Sequence, residues 1–180
     1  SNFDKQIDRG SHMLKTAIWV LRAANWLNWI GAALFTFLLM LLLVAPDQFK
    51  ETFERAFEGP RSADAVLIWL KLVCASVIPV AVAAHLIFTR LVAMLRDTQA
   101  GAAFTETNAK RLATIAWALL AINLVDLAFG QVSVWASETS GEYFGWSLSL
   151  TGWFAVPLLL ILARIFKEGA IMRDDLEGTV

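Results

Sequence analysis

Cysteine and charge are both scarce in this chain, and each scarcity excludes something. The single Cys74 cannot form an internal disulfide, so no disulfide scaffold holds the fold and redox compartment is not encoded here. Charged residues make up 17% of the 180 residues, well below the ~25% of soluble domains. A formal net charge of -1 leaves no basic surplus, and no direct nucleic-acid contact is expected. Chemistry motifs are missing as well: no HExxH, no phosphate-cradling glycine loop, no cysteine pairs, no serine elbow and no acidic cluster suited to phospholipid transfer. An enzyme needs a constellation and this chain offers isolated groups, so no catalytic residue, metal or cofactor is expected.

What is present is apolar residue in long blocks. The chain is 58% hydrophobic, concentrated in four stretches near 23–45, 65–89, 112–136 and 146–166. About 20 apolar residues at ~1.5 Å each cross a ~30 Å hydrocarbon layer. The expectation is an all-α integral membrane protein, an antiparallel bundle of four transmembrane helices bathed in a lipid bilayer. The spans and their short connections use the whole length, leaving one domain over 13–180. Gly10-Ser11-His12-Met13 reads as a tag remnant followed by a native start, so 1–12 are set aside and His85 becomes the one native histidine. The first stretch is too long, and lacks the small-residue site, for a cleavable signal peptide.

Lysine and arginine excess marks cytoplasmic loops. Lys15 and Arg22 precede the first stretch, Arg90, Arg96, Lys110 and Arg111 lie between the second and third, and Arg164, Lys167 and Arg173 follow the fourth. The third connection has only Glu138 and Glu142. Both termini are therefore expected in the cytoplasm of a bacterial inner membrane protein. Trp69, Trp135 and Trp146 are placed for the outer aromatic belt and Trp19 for the inner one. In the first outer loop, Phe49, Phe53 and Phe57 recur every four residues among charged ones, which predicts a short amphipathic surface helix over Asp47–Glu58, stopped by Gly59-Pro60.

Ionisable groups inside a bilayer need a partner or a role. Lys71 and Asp126 fall at similar depth in adjacent spans, with Asn123, Gly130 and Ser133 along the Asp126 stripe. This reads as a buried polar seam with a Lys71–Asp126 ion pair, or else a proton or cation site at Asp126. Nearer the other side, Asn25 or Asn28 is at the right depth to hydrogen-bond His85, fixing helix packing.

Between the second and third spans, Gly101 breaks a helix that continues to about Thr98. Thr105 is a good N-cap, Glu106 suits the first turn, and Phe104 before the cap can act as a staple. With Asn108, Arg111 and Leu112 these residues make a Gly-x-x-Phe-Thr pattern, then Asn and an Arg-Leu pair. The chain's end carries Phe166, Glu168, Gly169, Arg173, Asp174, Asp175, Thr179 and Val180. Both segments resemble a family of bacterial four-span membrane proteins catalogued as domain of unknown function 2975. Gly178 departs from the bulky residue usual there. The resemblance implies no established activity. Frequent proximity to a gene for a helix-turn-helix regulator implies a cytoplasmic partner of that kind. The loop Gly101–Arg111 and the tail Phe166–Val180 are the expected docking site, with Arg96, Lys110 and Arg111 facing Asp174, Asp175 and Glu177. The competing reading is a subunit of a homo-oligomeric transporter or channel that uses Asp126 and Lys71, since four helices leave little room for a pore.

Overall fold

The computed structural model describes the backbone of residues 2–57 and 60–177, with side chains from residue 12 onward except those of Pro60, Asp174, Leu176 and Glu177. All regular structure among the described residues is helical. α1 spans Asn2–Val44, α2 Pro46–Ala56, α3 Pro60–Gln99, α4 Glu106–Ser140 and α5 Leu150–Glu177. Three helical segments are long and apolar enough to cross a membrane: His12–Val44, Arg61–Gln99 and Glu106–Ser140. The chain is a membrane protein on that ground. The outward-facing side chains agree: Trp26 is 72% and Val44 80% exposed on α1, and only 11% of that helix's apolar window is buried. Water would not tolerate so large a continuous apolar surface, whereas lipid does.

The fourth stretch differs from expectation. Its helix begins at Leu150, not Trp146, and α5 is not among those three segments. From Leu150 the chain has 14 uncharged residues before Arg164, about 21 Å of helix, short of the ~30 Å hydrocarbon thickness. The late start has local causes. Gly141 takes a left-handed φ of 77°, open to glycine without the Cβ penalty. The Phe144 N–H then donates to Ser137 Oγ at 3.0 Å, a bond that holds this segment out of the helical ladder.

Two compact units divide the chain. The first comprises Ser1–Asn28, Ala83–Leu120 and Thr151–Val180. Its core is Leu112, Ile115 and Ala163, with Ile87, Leu91, Met94, Leu159 and Phe166 packed around them. The second comprises Trp29–Val82 and Ala121–Leu150. Its core is Leu42, Leu67 and the fully buried Cys74, covered by Leu38, Leu39, Leu70, Phe49 and Phe53.

The phenylalanine spacing of α2 therefore serves packing: two of its rings reach the core, and Phe53 stacks on Phe57 at 5.7 Å. Pro46 opens the helix at a position where its missing N–H costs nothing. It ends at Ala56, short of the expected Glu58; Glu58 and Gly59 lie outside the described residues, and Pro60 of the expected stop opens α3. Lys50 Nζ, 3.0 Å from Asp64 Oδ1, ties α2 to the first turns of α3. The hydrogen bond to Asp64 and its charge hold the Lys50 ammonium above its ordinary pKa.

Candidate functional site

The loop between α3 and α4 is built from a helix end, a cap and one polar network. At the end of α3, Ala102 N–H donates to Asp97 O at 2.8 Å and Gly101 N–H to Thr98 O at 3.1 Å. With Gly101 at φ 76°, this is a Schellman ending, which satisfies carbonyls that a bare helix end leaves open. Four residues later, Thr105 Oγ1 accepts from the Asn108 N–H at 3.1 Å, so Thr105 caps α4 as its position predicts.

Asn108 is 1% exposed and uses both ends of its amide. Its Nδ2 donates to the carbonyls of Ala102 and Ala103, at 3.3 and 3.0 Å. Its Oδ1 accepts from Arg111 Nη1 at 2.7 Å. The same Arg111 nitrogen makes a short contact with Asp97 Oδ2. Asp97 sits in the last turn of α3, where the negative helix end disfavours a carboxylate. The guanidinium of Arg111 offsets that.

Two of the loop's cations pair close to home. Arg111 reaches back to Asp97, and Lys110 pairs with Glu106 on its own helix at 2.8 Å. A carboxylate one helical turn away, or across a short fixed loop, needs less ordering of a long side chain than one on a distant tail. Glu168 likewise pairs one turn back, with Arg164 at 3.1 Å. Arg173 and Asp175 are exposed on the last turns of α5. The side chains of Asp174 and Glu177, and Gly178, Thr179 and Val180, lie outside the described residues.

Among the described residues, the loop and α5 meet through aromatic packing. The Phe104 ring lies 4.8 Å from that of Phe166. A Cβ added at Gly169 would stand 3.4 Å from Phe104 Cδ1. Phe104 thus packs onto α5. It stays 50% exposed, an aromatic platform on a locked loop. Gly101, Phe104, Thr105, Asn108, Arg111, Phe166 and Gly169, drawn from the α3–α4 loop, the start of α4 and α5, form one contiguous feature.

A second group in the same unit joins α1 to α3. His85 Nδ1 and Asn25 Oδ1 are 2.9 Å apart. An amide oxygen only accepts, so Nδ1 carries a proton in this arrangement. Of the two asparagines open to this role, Asn25 makes this bond, and Asn28 is half-buried on α1.

In the second unit, the expected seam is rearranged. Lys71 and Asp126 are both half-buried, and no ion pair among the described residues joins them. Asn123 Nδ2 is buried without a hydrogen-bond partner. Gly130 and Ser133, further along the stripe, receive tryptophans. The Trp146 indole lies directly on Gly130, and Trp69 Nε1–H donates to Ser133 Oγ at 3.0 Å. Trp69 also packs on Phe144 at 4.5 Å and Phe129 at 5.9 Å. Trp69 and Trp146 are thus packing residues, and Trp135 is 43% exposed.

The residue missed from sequence is Asp97. Its signal was there: an acid at a helix C-terminus, against the dipole, implies a dedicated cation.

These capped and packed residues fall in a stretch matched, over residues 50–180, by the family model described as protein of unknown function (DUF2975). The chain belongs to that family. The match takes in most of α2 and all of α3, α4 and α5, and so both segments that meet at Phe104. No curated protein and no solved structure matches this chain significantly.

Proposed function

We propose that this DUF2975 protein is a regulatory or scaffolding component of the bacterial inner membrane, without enzymatic activity, that holds a cytoplasmic partner on the Phe104 platform and the end of α5. A helix-turn-helix regulator is the partner that the family resemblance implies. The architecture that goes with this reading is a four-span antiparallel bundle with both termini cytoplasmic. The residues Trp146–Ser149 would complete the short apolar run of α5, and the lysine and arginine bias sets the orientation. Labelling of Glu142→Cys from the outer side alone would agree with it, and labelling from the cytoplasm would overturn it.

One observation carries the docking reading: Phe104 is half-exposed although Thr105, Asn108 and Arg111 in the same loop network are tied down. A mere connector needs no such order, whereas an exposed aromatic on a rigid frame is a common anchor in interfaces. In a pull-down with the full chain in detergent, Phe104→Ala and deletion of 174–180 should each reduce partner capture at least tenfold at unchanged melting temperature. Undiminished capture by both variants removes the reading.

The transporter reading rests on a separate observation: Asn123 Nδ2 is buried without a hydrogen-bond partner on the same stripe as Asp126, and among the described residues neither Asp126 nor Lys71 enters an ion pair. It predicts the reverse pattern in a flux assay: Asp126→Asn abolishes activity, and the tail deletion leaves it intact.

A further inference from the structure

Two arginines on different helices converge on one cleft of the first unit. Arg22 of α1 and Arg96 of α3 line a space of about 220 Å³ together with Asn25, Thr89, Phe88 and Val92. That volume would hold about seven waters at ~30 Å³ each. Among the described residues, no carboxylate lines it. Both arginines are exposed, and neither enters an ion pair among the described residues. Asp97, next in sequence to Arg96, is engaged by Arg111. Two guanidinium groups at one opening repel each other unless an anion lies between them.

The remaining polar groups fit the same anion. Asn25 spends its amide oxygen on His85 Nδ1, which leaves the two N–H donors of Nδ2 for a ligand. Planar guanidinium groups bind phosphate oxygens in pairs, more specifically than ammonium groups do. The other wall, with Phe88 and Val92, is apolar and offers nothing to a hydrated inorganic ion. It suits a glyceride or acyl chain.

Depth gives the source of the phosphate. Arg22 is the last charge before the uncharged run Ala23–Ala45. On α3, the uncharged run Leu72–Thr89 ends one residue before Arg90, and Arg96 follows within two turns. The cleft therefore sits where helices pass from charged to apolar sequence, which is where a bilayer keeps its headgroups. Basic pockets between membrane helices at that level take anionic headgroups.

We propose that the Arg22–Arg96 cleft is a binding site for the phosphate of an anionic glycerophospholipid. It lies apart from the Phe104 platform and does not depend on the docking reading. The probe is phosphatidylglycerol added to the full chain in a neutral detergent, read by melting temperature and by native mass spectrometry. Phosphatidylcholine, inorganic phosphate and a polyglutamate peptide serve as the comparison arms. Phosphatidylglycerol should bind and raise the melting temperature, less so as salt rises. The double variant Arg22→Gln/Arg96→Gln should bind it about thirtyfold more weakly, given the usual gain per cation near a charged surface. Arg22→Lys/Arg96→Lys keeps the charge and guards against misfolding, and it should fall between the two. Equal binding of phosphatidylcholine would reduce the site to an acyl groove. Equal effects of inorganic phosphate would make it a free-anion site, and tighter binding of polyglutamate would make it a peptide site. Unchanged phosphatidylglycerol binding by the glutamine variant, folded by its melting curve, would overturn it outright.

Discussion

The α3–α4 loop and the Asn123 stripe are both polar features of an apolar protein, but they treat their polar groups in opposite ways. Around the loop, Asn108, Arg111, Asp97 and the carbonyls of Ala102 and Ala103 close on one another. Along the stripe, Asn123 Nδ2 and Trp146 Nε1 are buried without partners. A satisfied buried network rigidifies and specifies one structure, while an unsatisfied one costs stability unless something else completes it. The comparison teaches that the loop is finished within the chain and that the stripe at Asn123 is not. Mutations that remove a polar group should therefore damage the first and spare the second.

The largest effect is expected at Asn108. Replacing it by alanine strands two loop carbonyls and takes a partner from Arg111, at 1–3 kcal/mol for each buried group left unsatisfied. A loss of about 3 kcal/mol in detergent unfolding is expected for Asn108→Ala. The loop should open with it, seen as faster backbone amide exchange over 97–111. A loss under about 0.5 kcal/mol would show that the network is a surface arrangement.

Gly130→Ala comes next. The added Cβ would stand 2.2 Å from Trp146 Cε2, so the indole must leave its seat. Overpacking of this kind costs about 1–3 kcal/mol. The same substitution in a Trp146→Ala background should cost little, because the clash is gone. Additive losses in that cycle would mean that Gly130 matters for its backbone and not for the ring it accepts.

How much of this could be read in the sequence depends on the range of the interaction. The helices, the Gly101 break and the Thr105 cap are local: apolar length, backbone conformation and a side chain bonding three residues on determine them. The meeting of Phe104 with Phe166 and Gly169 was legible only as two segments expected on one face. The partner of Arg111 was not legible, because a long cation has several acids within reach and geometry chooses among them. The packing of Trp146 was not legible for a related reason. Tryptophans near span ends usually mark a membrane interface, and only the absence of a side chain at Gly130 distinguishes a seat from a belt. The late start of α5 was hidden as well, since it rests on Gly141, the Ser137–Phe144 bond and that same seat.

The smallest effect should come from Asn123, and its smallness is the test. In water-filled or self-contained proteins a buried asparagine usually costs more to replace than it costs to keep. Here the Nδ2 donors of Asn123 have no partner, so Asn123→Leu removes an unsatisfied group and supplies apolar surface of similar volume. Stability of the isolated chain in detergent should stay level or rise by up to about 1 kcal/mol. The matching change at the loop, Asn108→Leu, should instead cost as much as Asn108→Ala, which makes the pair a direct reading of the contrast. If Asn123→Leu lost more than about 1 kcal/mol, the amide would have a partner that the single chain does not supply. Interhelical amide bonds between copies are of about that strength in membranes. That loss should then depend on protein concentration, and its absence on dilution would separate a second copy of the chain from a bound solute.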